Sequence, residues 1–131
     1  MIVSRRHWLV ASGVAAMFAL APALAAQRAA YTPGAFEAAQ KAGKPILVEI
    51  HAAWCPTCKA QAPVIAKLEG EPRFAGLAVF RVDFDTQKDA LKKFDAQKQS
   101  TLIVFKGARE TGRLVGATDP LSIEELLEKT L

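Results

Sequence analysis

The chain alternates between short apolar runs and stretches in which apolar residues recur at helical spacing. Apolar runs rich in β-branched and aromatic residues predict strands, and apolar residues three or four positions apart predict amphipathic helices. The predicted strands cover 46–50, 77–83, 101–105 and 111–115, and the predicted helices cover 35–42, 60–68, 86–96 and 122–131. This order is a βαβ unit, a hairpin and a closing helix. We therefore expect an α/β fold in which helices cover both faces of a central mixed β-sheet.

The first 25 residues have the pattern of an export signal. Arg5 and Arg6 precede a mostly apolar stretch that ends in Ala23-Leu24-Ala25, which fits the small-x-small cleavage pattern. The segment around the two arginines also resembles a twin-arginine signal, so the general secretory and twin-arginine routes both stay open. A third interpretation is an uncleaved membrane anchor, because the apolar stretch is barely long enough to span a bilayer. We expect a periplasmic protein, in contact with the membrane only if this segment is retained.

The remaining sequence predicts one domain. Residues 26–32 are expected to form a linker, and 33–131 the folded domain, which at 51% hydrophobic residues overall can build a core without structural disulfides. Removing Arg5 and Arg6 with the signal lowers the formal charge from +4 to +2. So small an excess of positive charge gives no reason to expect a nucleic-acid partner.

Both cysteines of the chain lie in the segment Trp54-Cys55-Pro56-Thr57-Cys58-Lys59. A strand precedes this segment, and the helix that follows places Cys55 at its N-terminus if it begins at the motif. Unpaired backbone N–H groups and the helix dipole stabilise a thiolate there. Because the helix end should expose the first cysteine, we expect Cys55 to attack a partner disulfide and Cys58 to resolve the mixed disulfide.

This order of elements, together with the Trp-Cys-x-x-Cys-Lys motif, resembles the thioredoxin family over about Pro33 to Leu131. The resemblance implies a thioredoxin fold and thiol–disulfide oxidoreductase activity, with the Cys55–Cys58 disulfide as redox centre and neither a further cofactor nor a metal. Export narrows the resemblance to periplasmic thioredoxin-like proteins. The implied partners are disulfides of other exported proteins and a membrane electron donor, since the periplasm has no soluble thiol buffer of note.

The resemblance also assigns roles to two polar residues on the strand before the motif. Glu49 matches a buried Asp that takes the proton of the resolving thiol; the alternative is a strand carboxylate that reaches solvent or pairs with a lysine. His51 falls on the same strand face, because side chains alternate along a strand. It is placed to hydrogen-bond the carboxylate or to tune Cys55, and the alternative is a packed, partly exposed ring.

Residues around the cysteines are expected to bind the substrate and set the direction of electron flow. Trp54 matches the family tryptophan that shields the site and packs against partners. Pro56 and Thr57 lie between the cysteines, and Thr57 lacks the positive charge of the histidine found in strongly oxidising relatives. We therefore expect a reductase or a mildly poised exchanger. Lys59 either favours a nearby thiolate or is an ordinary solvated helix residue.

The sequence departs from the family pattern just before the third predicted strand. Ser100 stands where the family has a cis-proline that faces the cysteines and presents backbone groups to the substrate chain. A cis peptide at Ser100 would cost about 3 kcal/mol, whereas a trans peptide requires the loop to move. We expect Ser100 and Thr101 to contact substrate, and the Ser100 hydroxyl is a candidate hydrogen-bond donor to the Cys55 thiolate.

Two other classes of function remain open at this point. Cys55, Cys58 and His51 together offer ligands for a soft or borderline metal ion, which would make the protein a metal carrier or a metal-site assembly factor. A binding module with a purely structural disulfide is disfavoured, because so short a loop removes little entropy from the unfolded chain.

Overall fold

Residues 25–131 are described by the computed structural model, so the predicted signal peptide lies outside the described residues except for Ala25. The described elements follow in chain order: β1 (Gln27–Ala30), α1 (Pro33–Lys41), β2 (Pro45–His51), α2 (Pro56–Glu69), a 3-10 turn (Pro72–Phe74), β3 (Ala78–Asp83), α3 (Lys88–Lys93), β4 (Thr101–Lys106), β5 (Arg109–Val115) and α4 (Pro120–Glu128).

The five described strands form one mixed sheet in the order β1-β3-β2-β4-β5. Strands β1 and β2 run parallel to β3, while β4 runs antiparallel to β2 and β5 antiparallel to β4. The βαβ unit and the hairpin are therefore both present, and the predicted mixed-sheet α/β fold is confirmed. In this arrangement the carboxyl end of β2, which leads into the Cys-x-x-Cys motif, lies beside the start of β4, where Ile50 pairs with Thr101.

The predicted linker over 26–32 is wrong, because Gln27–Ala30 forms an edge strand of the sheet. The Gln27 N–H donates to the Leu77 carbonyl at 2.9 Å, and the Tyr31 N–H donates to the Arg81 carbonyl at 2.8 Å. All four residues of β1 are exposed. An edge strand held by its backbone needs no alternation of apolar side chains, so the hydrophobic pattern gave no sign of it, and the domain begins before residue 33.

Two apolar layers cover the opposite faces of the sheet. One is rich in aromatic residues and packs beneath α1 and α3, with Phe36 in contact with four other rings. The other is largely aliphatic and packs beneath α2 and α4. Along β2, Val48 and Ile50 belong to the aromatic layer and Leu47 to the aliphatic one. Since side chains alternate along a strand, Glu49 faces α2, the helix that carries the cysteines.

The ends of two helices differ in how well the sequence predicts them. Helix α2 begins at Pro56, at the motif itself, with Cys55 as its N-cap. Proline suits this first position, because its missing N–H would have no partner there. Helix α3 is shorter than the predicted 86–96, and Asp95 just beyond it adopts a left-handed conformation with φ 49°. Such a residue ends a helix.

Candidate active site

The two cysteines form a pair at the start of α2. Their Cα atoms lie 5.3 Å apart, and the structure joins them by a disulfide, in line with the separation of about 4.4–6.8 Å that disulfides require. Cys55 has an extended backbone, and its Sγ accepts a hydrogen bond of 3.1 Å from the Cys58 N–H. A backbone donor of the first helical turn therefore points at the first sulfur, which is the arrangement that favours a thiolate over a thiol.

The expected exposure of Cys55 is wrong for the disulfide-bonded protein, in which only 1% of the residue's surface is exposed to solvent. Its sulfur turns inward toward the Cys58 N–H, and the residue packs with Ala52 and the half-buried ring of Phe84. Cys58 is also buried. The assignment of Cys55 as the attacking thiol stays a prediction, and an attacking partner has to reach a sulfur that the surrounding loop covers.

Cys58 is suited to remain a thiol until it is needed. Burial, followed by its hydrogen bond with Cys55, raises the pKa of the reduced Cys58 thiol above its ordinary value. Its Sγ lies 4.0 Å from the Ile50 carbonyl oxygen, a weak acceptor contact within the protein interior. A thiol held in its neutral form at neutral pH requires a base before it can attack, as expected of a resolving cysteine.

Glu49 and Cys58 line the same small cavity, whose volume is about 10 Å³. That volume is at the lower limit for one water molecule, about 10–15 Å³. Glu49 is 6% exposed, and its carboxylate accepts two hydrogen bonds from Arg28, at 2.6 and 3.1 Å, and one from Arg81 at 3.4 Å. The carboxylate is therefore neither solvated nor paired with a lysine. Its role as the base for Cys58 stays a prediction.

Arg28 and Arg81 are site residues that the sequence analysis missed. Arg81 lies directly beside Glu49 in the register of β2 and β3, so a correct pairing of these two predicted strands would have identified it. Arg28 belongs to β1 and also bonds Glu69 of α2 at 2.5 Å. No sequence signal pointed to Arg28, because its segment was interpreted as a linker.

His51 lies at the rim of the site and lines the cavity with Glu49 and Cys58. Burial, and after it the nearby Arg81 guanidinium, lower the pKa of His51 below its ordinary value. His51 is therefore neutral at neutral pH. The proposed hydrogen bond to the carboxylate is wrong within the described residues, where Arg28 and Arg81 are the donors to Glu49.

Trp54 covers the outer side of the site. The residue is 55% exposed, its Nε1–H donates to the Asp85 carboxylate at 2.9 Å, and its ring meets the ring of Phe84 edge-on with the ring centroids 6.5 Å apart. An exposed ring fixed by a hydrogen bond is a contact surface rather than core. Asp85 is a further residue that the sequence analysis assigned no role. Beside Trp54, Pro56 is exposed and Thr57 half-buried, and Lys59 is exposed with no ion pair among the described residues.

Ser100 adopts a trans peptide with φ 58°, so the loop has moved rather than kept a cis bond. Its N–H donates to the Ile50 carbonyl at 2.7 Å, and its hydroxyl donates to the Gln99 carbonyl at 2.5 Å. The suggested hydrogen bond from this hydroxyl to Cys55 is therefore wrong. Thr101 is buried, and its hydroxyl donates to the Lys98 carbonyl at 2.7 Å, which leaves it no free donor for a substrate.

The described residues, 25–131, lack two features that other classes of protein have. Within that range, no helix is long and apolar enough to cross a membrane. No three His, Cys, Asp or Glu side chains of the described part are grouped so that they would hold a metal ion.

Comparison with known proteins identifies the family. A family model described as Thioredoxin matches residues 27–129. The thioredoxin of Mycobacterium bovis is 39% identical over 74 residues, which are 56% of this chain and 63% of the relative, so the chain spans less than two thirds of that protein. The H-type thioredoxin of Fagopyrum esculentum is 31% identical over 94 residues, 72% of this chain and 76% of the relative.

A solved structure extends the match to the fold. The crystal structure of Trxlp from Edwardsiella tarda EIB202 has a TM-score of 0.75 and 40% sequence identity, and the match covers 77% of this chain and 98% of that one. The region matched by the family model runs from the start of β1 to just past the end of α4 and includes both cysteines. With its mixed sheet and its cysteine pair at the start of α2, this chain belongs to the thioredoxin family.

Proposed function

We propose that this protein is an exported thiol–disulfide oxidoreductase that reduces disulfides of other exported proteins. The observation that carries the proposal is the hydrogen bond from the Cys58 N–H to the Cys55 sulfur at the start of α2, 3.1 Å long. Through this bond the Cys55 sulfur faces a backbone N–H of the first helical turn and lies next to Cys58, the thiol that would displace a substrate bound to Cys55. The related thioredoxins support this chemistry.

The first half of the reaction uses Cys55. In the reduced protein, the Cys55 thiolate attacks one sulfur of the substrate disulfide; a bond forms between Cys55 and that sulfur, and the other substrate sulfur leaves as a thiolate. The N-cap position stabilises the attacking anion. Trp54, with its exposed ring hydrogen-bonded to Asp85, supplies an apolar surface beside the mixed disulfide.

The second half uses Cys58 and Glu49. The Cys58 thiol loses its proton to Glu49 through the shared cavity and attacks the Cys55 sulfur, so that the second substrate sulfur leaves as a thiolate and takes up the proton. A carboxylate offers about four acceptor positions, and Arg28 and Arg81 occupy three of those on Glu49. One position is left for the proton. The substrate gains two electrons, and the protein ends as the Cys55–Cys58 disulfide.

The residues near the cysteines favour electron flow from this protein to its substrate. Thr57 brings no positive charge to the Cys55 thiolate, and His51, with its lowered pKa, is neutral at neutral pH. A reduced form without that added stabilisation is a better electron donor. Each turnover then requires a dithiol donor, which we propose is a membrane protein, to return two electrons to the disulfide.

Export is proposed from the sequence of residues 1–25, with Arg5 and Arg6 ahead of an apolar stretch. The test is cell fractionation of the full chain. A protein released with the periplasm supports the proposal, and one that stays in the cytoplasm contradicts it. Replacement of both arginines by lysine distinguishes the routes, since the twin-arginine route requires arginine and the general route accepts either.

The activity is tested with the purified protein and its two single-cysteine variants. We expect catalysed reduction of insulin by dithiothreitol that Cys55→Ser abolishes, and a stable mixed disulfide with substrate in Cys58→Ser. Equilibration with a thiol buffer should give a reduction potential nearer about −270 mV than about −120 mV. A metal carrier would give a different result. The wild-type protein would purify with one equivalent of metal that both variants lack, and it would not reduce insulin.

A further inference from the structure

Gln61 is a buried polar side chain for which the proposed reaction has no use. It lies one turn after Cys58 on α2, is 3% exposed and lines the cavity shared by Cys58 and Glu49. A buried amide is costly unless its polar atoms are hydrogen-bonded. Its partners therefore show what the side chain is for.

The Gln61 amide joins two loops. Its Nε2 donates to the Ser100 carbonyl at 3.1 Å and to the Ala117 carbonyl at 2.8 Å. Both partners are acceptors only, so the –NH₂ group and not the amide oxygen must face them. Ser100 ends the loop before β4, and Ala117 lies in the loop after β5. One side chain of the helix that carries the cysteines thus fixes both loops.

These loops lie next to the cysteines. The Ile50 carbonyl accepts the Ser100 N–H at 2.7 Å and lies 4.0 Å from the Cys58 sulfur. The two loops are also joined to each other, because the Gly116 N–H donates to the Ser100 carbonyl at 3.0 Å. Val115, which leads into the second loop, is 55% exposed. A protein substrate that reaches the cysteines across this edge of the sheet therefore has to pass over both loops.

The conformation of Ser100 needs this support. A φ of 58° is left-handed and uncommon for a residue other than glycine, and it persists only where the surroundings determine it. Ser100 has no proline ring to restrict its backbone. Its N–H and its carbonyl are instead both held by hydrogen bonds, and Gln61 supplies the one that comes from a side chain.

We propose that Gln61 is a positioning residue for protein substrates: it holds the Ser100 and Ala117 loops in the arrangement on which the substrate polypeptide docks beside the cysteines. This proposal rests on the proposed disulfide reductase activity. A polypeptide disulfide needs both the Cys55 sulfur and the two loops, whereas a small disulfide needs only the sulfur. Loss of Gln61 should therefore slow the first reaction and spare the second.

The test compares two substrates with each variant in pre-reduced form. Gln61→Met has a similar volume and no donor, and Gln61→Glu has the same shape but turns acceptors toward two carbonyls. We expect the second-order rate constant with insulin to fall about tenfold, which is about 1.4 kcal/mol, and the rate constant with dithiobis-nitrobenzoate to stay within about twofold. Gln40→Met and Gln40→Glu, on α1 across the sheet, serve as matched controls and should change neither.

Hydrogen exchange at the Gly116 amide gives a second readout. In Gln61→Met this amide should exchange about tenfold faster, because its acceptor at Ser100 is no longer fixed. If Gln61→Met does not fold, Gln61→Asn, which keeps the amide on a shorter arm, should show a smaller loss in the same direction.

Three results would each overturn either the proposed role of Gln61 or the proposed reductase activity. Unchanged insulin reduction in folded Gln61 variants would overturn the role of Gln61, and so would an equal loss with both substrates. Wild-type protein that reduces neither substrate would overturn the reductase proposal, with Gly116 exchange still deciding whether Gln61 holds the loops.

Discussion

At the scale of single residues, Glu49 is the most constrained charge near the cysteines. It is buried on β2, yet Arg28 binds it through two nitrogens and Arg81 approaches it from β3. A buried carboxylate without such partners would be expensive. The arginines therefore stabilise the protein mainly because they prevent an unpaired buried charge. A loss of stability should appear when one partner is removed and should be smaller when both are removed.

We predict that Arg28→Met destabilises the protein by about 2 kcal/mol. This is below the roughly 3–5 kcal/mol lost when one partner of a fully buried pair is removed, because the Arg28 side chain is 36% exposed. Glu49→Gln removes the need for the arginine, so the double variant should lose at least about 1 kcal/mol less than the sum of the single variants. Urea unfolding of the three variants measures this coupling. Strictly additive losses would contradict it, and Arg109→Met, on the exposed part of β5, is the control.

His51 predicts how stability depends on pH. Its pKa in the folded protein is lowered by burial and then by Arg81 from an ordinary value of 6.5. Below about pH 6.5 the unfolded state binds a proton that the folded state refuses, so this residue makes stability fall as the pH falls through that window. His51→Gln should therefore lose less stability than wild type between about pH 7.5 and 5.5. Urea midpoints at the two pH values check this, and equal losses would show that His51 does not contribute.

Single residues also show how far the sequence can predict the site. Cys55 and Cys58 follow from the local strand–motif–helix pattern, and Glu49 and Trp54 follow from the resemblance to the thioredoxin family over the same ten residues. The hydrogen bonds of the site join residues that are 21, 39 and 56 positions apart. Those contacts depend on which strand lies beside which and on how the loops close, and the local pattern of apolar residues carries neither.

At the scale of elements, β1 is an edge strand that carries part of the redox site. Among the described strands it pairs with β3 alone, and its four residues are exposed, although the Arg28 guanidinium reaches the buried Glu49. The pattern of apolar runs identified β2, β3 and β4, which bury most of their residues, and also the shorter β5, which buries none fully. This pattern missed β1 because backbone hydrogen bonds, and not buried side chains, hold that strand. The strand should therefore be most sensitive to the loss of its N–H donors.

We predict that Ala29→Pro is far more damaging than Ala30→Pro. The N–H groups of Gln27 and Tyr31 donate to carbonyls flanking or within β3, and the two-residue repeat of a parallel ladder places the Ala29 N–H on the same side. The Ala30 N–H then points away from the sheet, where proline is tolerated. Ala29→Pro should cost about 1–3 kcal/mol, measured by urea unfolding. Equal costs would mean that β1 is not paired in this register.

At the scale of the whole molecule, the aromatic core layer and the redox chemistry lie on different faces of the sheet. Phe36 packs among Tyr31, Phe80, Phe94 and Phe105 beneath α1. The cysteines and Glu49 lie on the face of α2. The sheet is one continuous hydrogen-bonded unit, so both faces should unfold together, while a small change in one core should leave the chemistry on the other face unaltered.

We predict that Phe36→Leu lowers the free energy of unfolding by about 1–3 kcal/mol, because it removes four aromatic contacts and leaves a cavity. Its reduction potential should equal that of wild type. Urea unfolding measures the first quantity, and equilibration with a thiol buffer measures the second. A potential that moves together with stability would show that the aromatic layer is coupled to the cysteines.

The place of Arg28 on the first described strand has a practical consequence for anyone who trims or fuses this chain. A recombinant version that starts at Pro33, where the helical pattern begins, would still contain both cysteines and would look complete. It would nevertheless lack the guanidinium that neutralises Glu49 and the backbone that covers the outer side of β3. Such a shortened protein would be a poor reference for redox measurements, so cloning boundaries should be set upstream of Gln27.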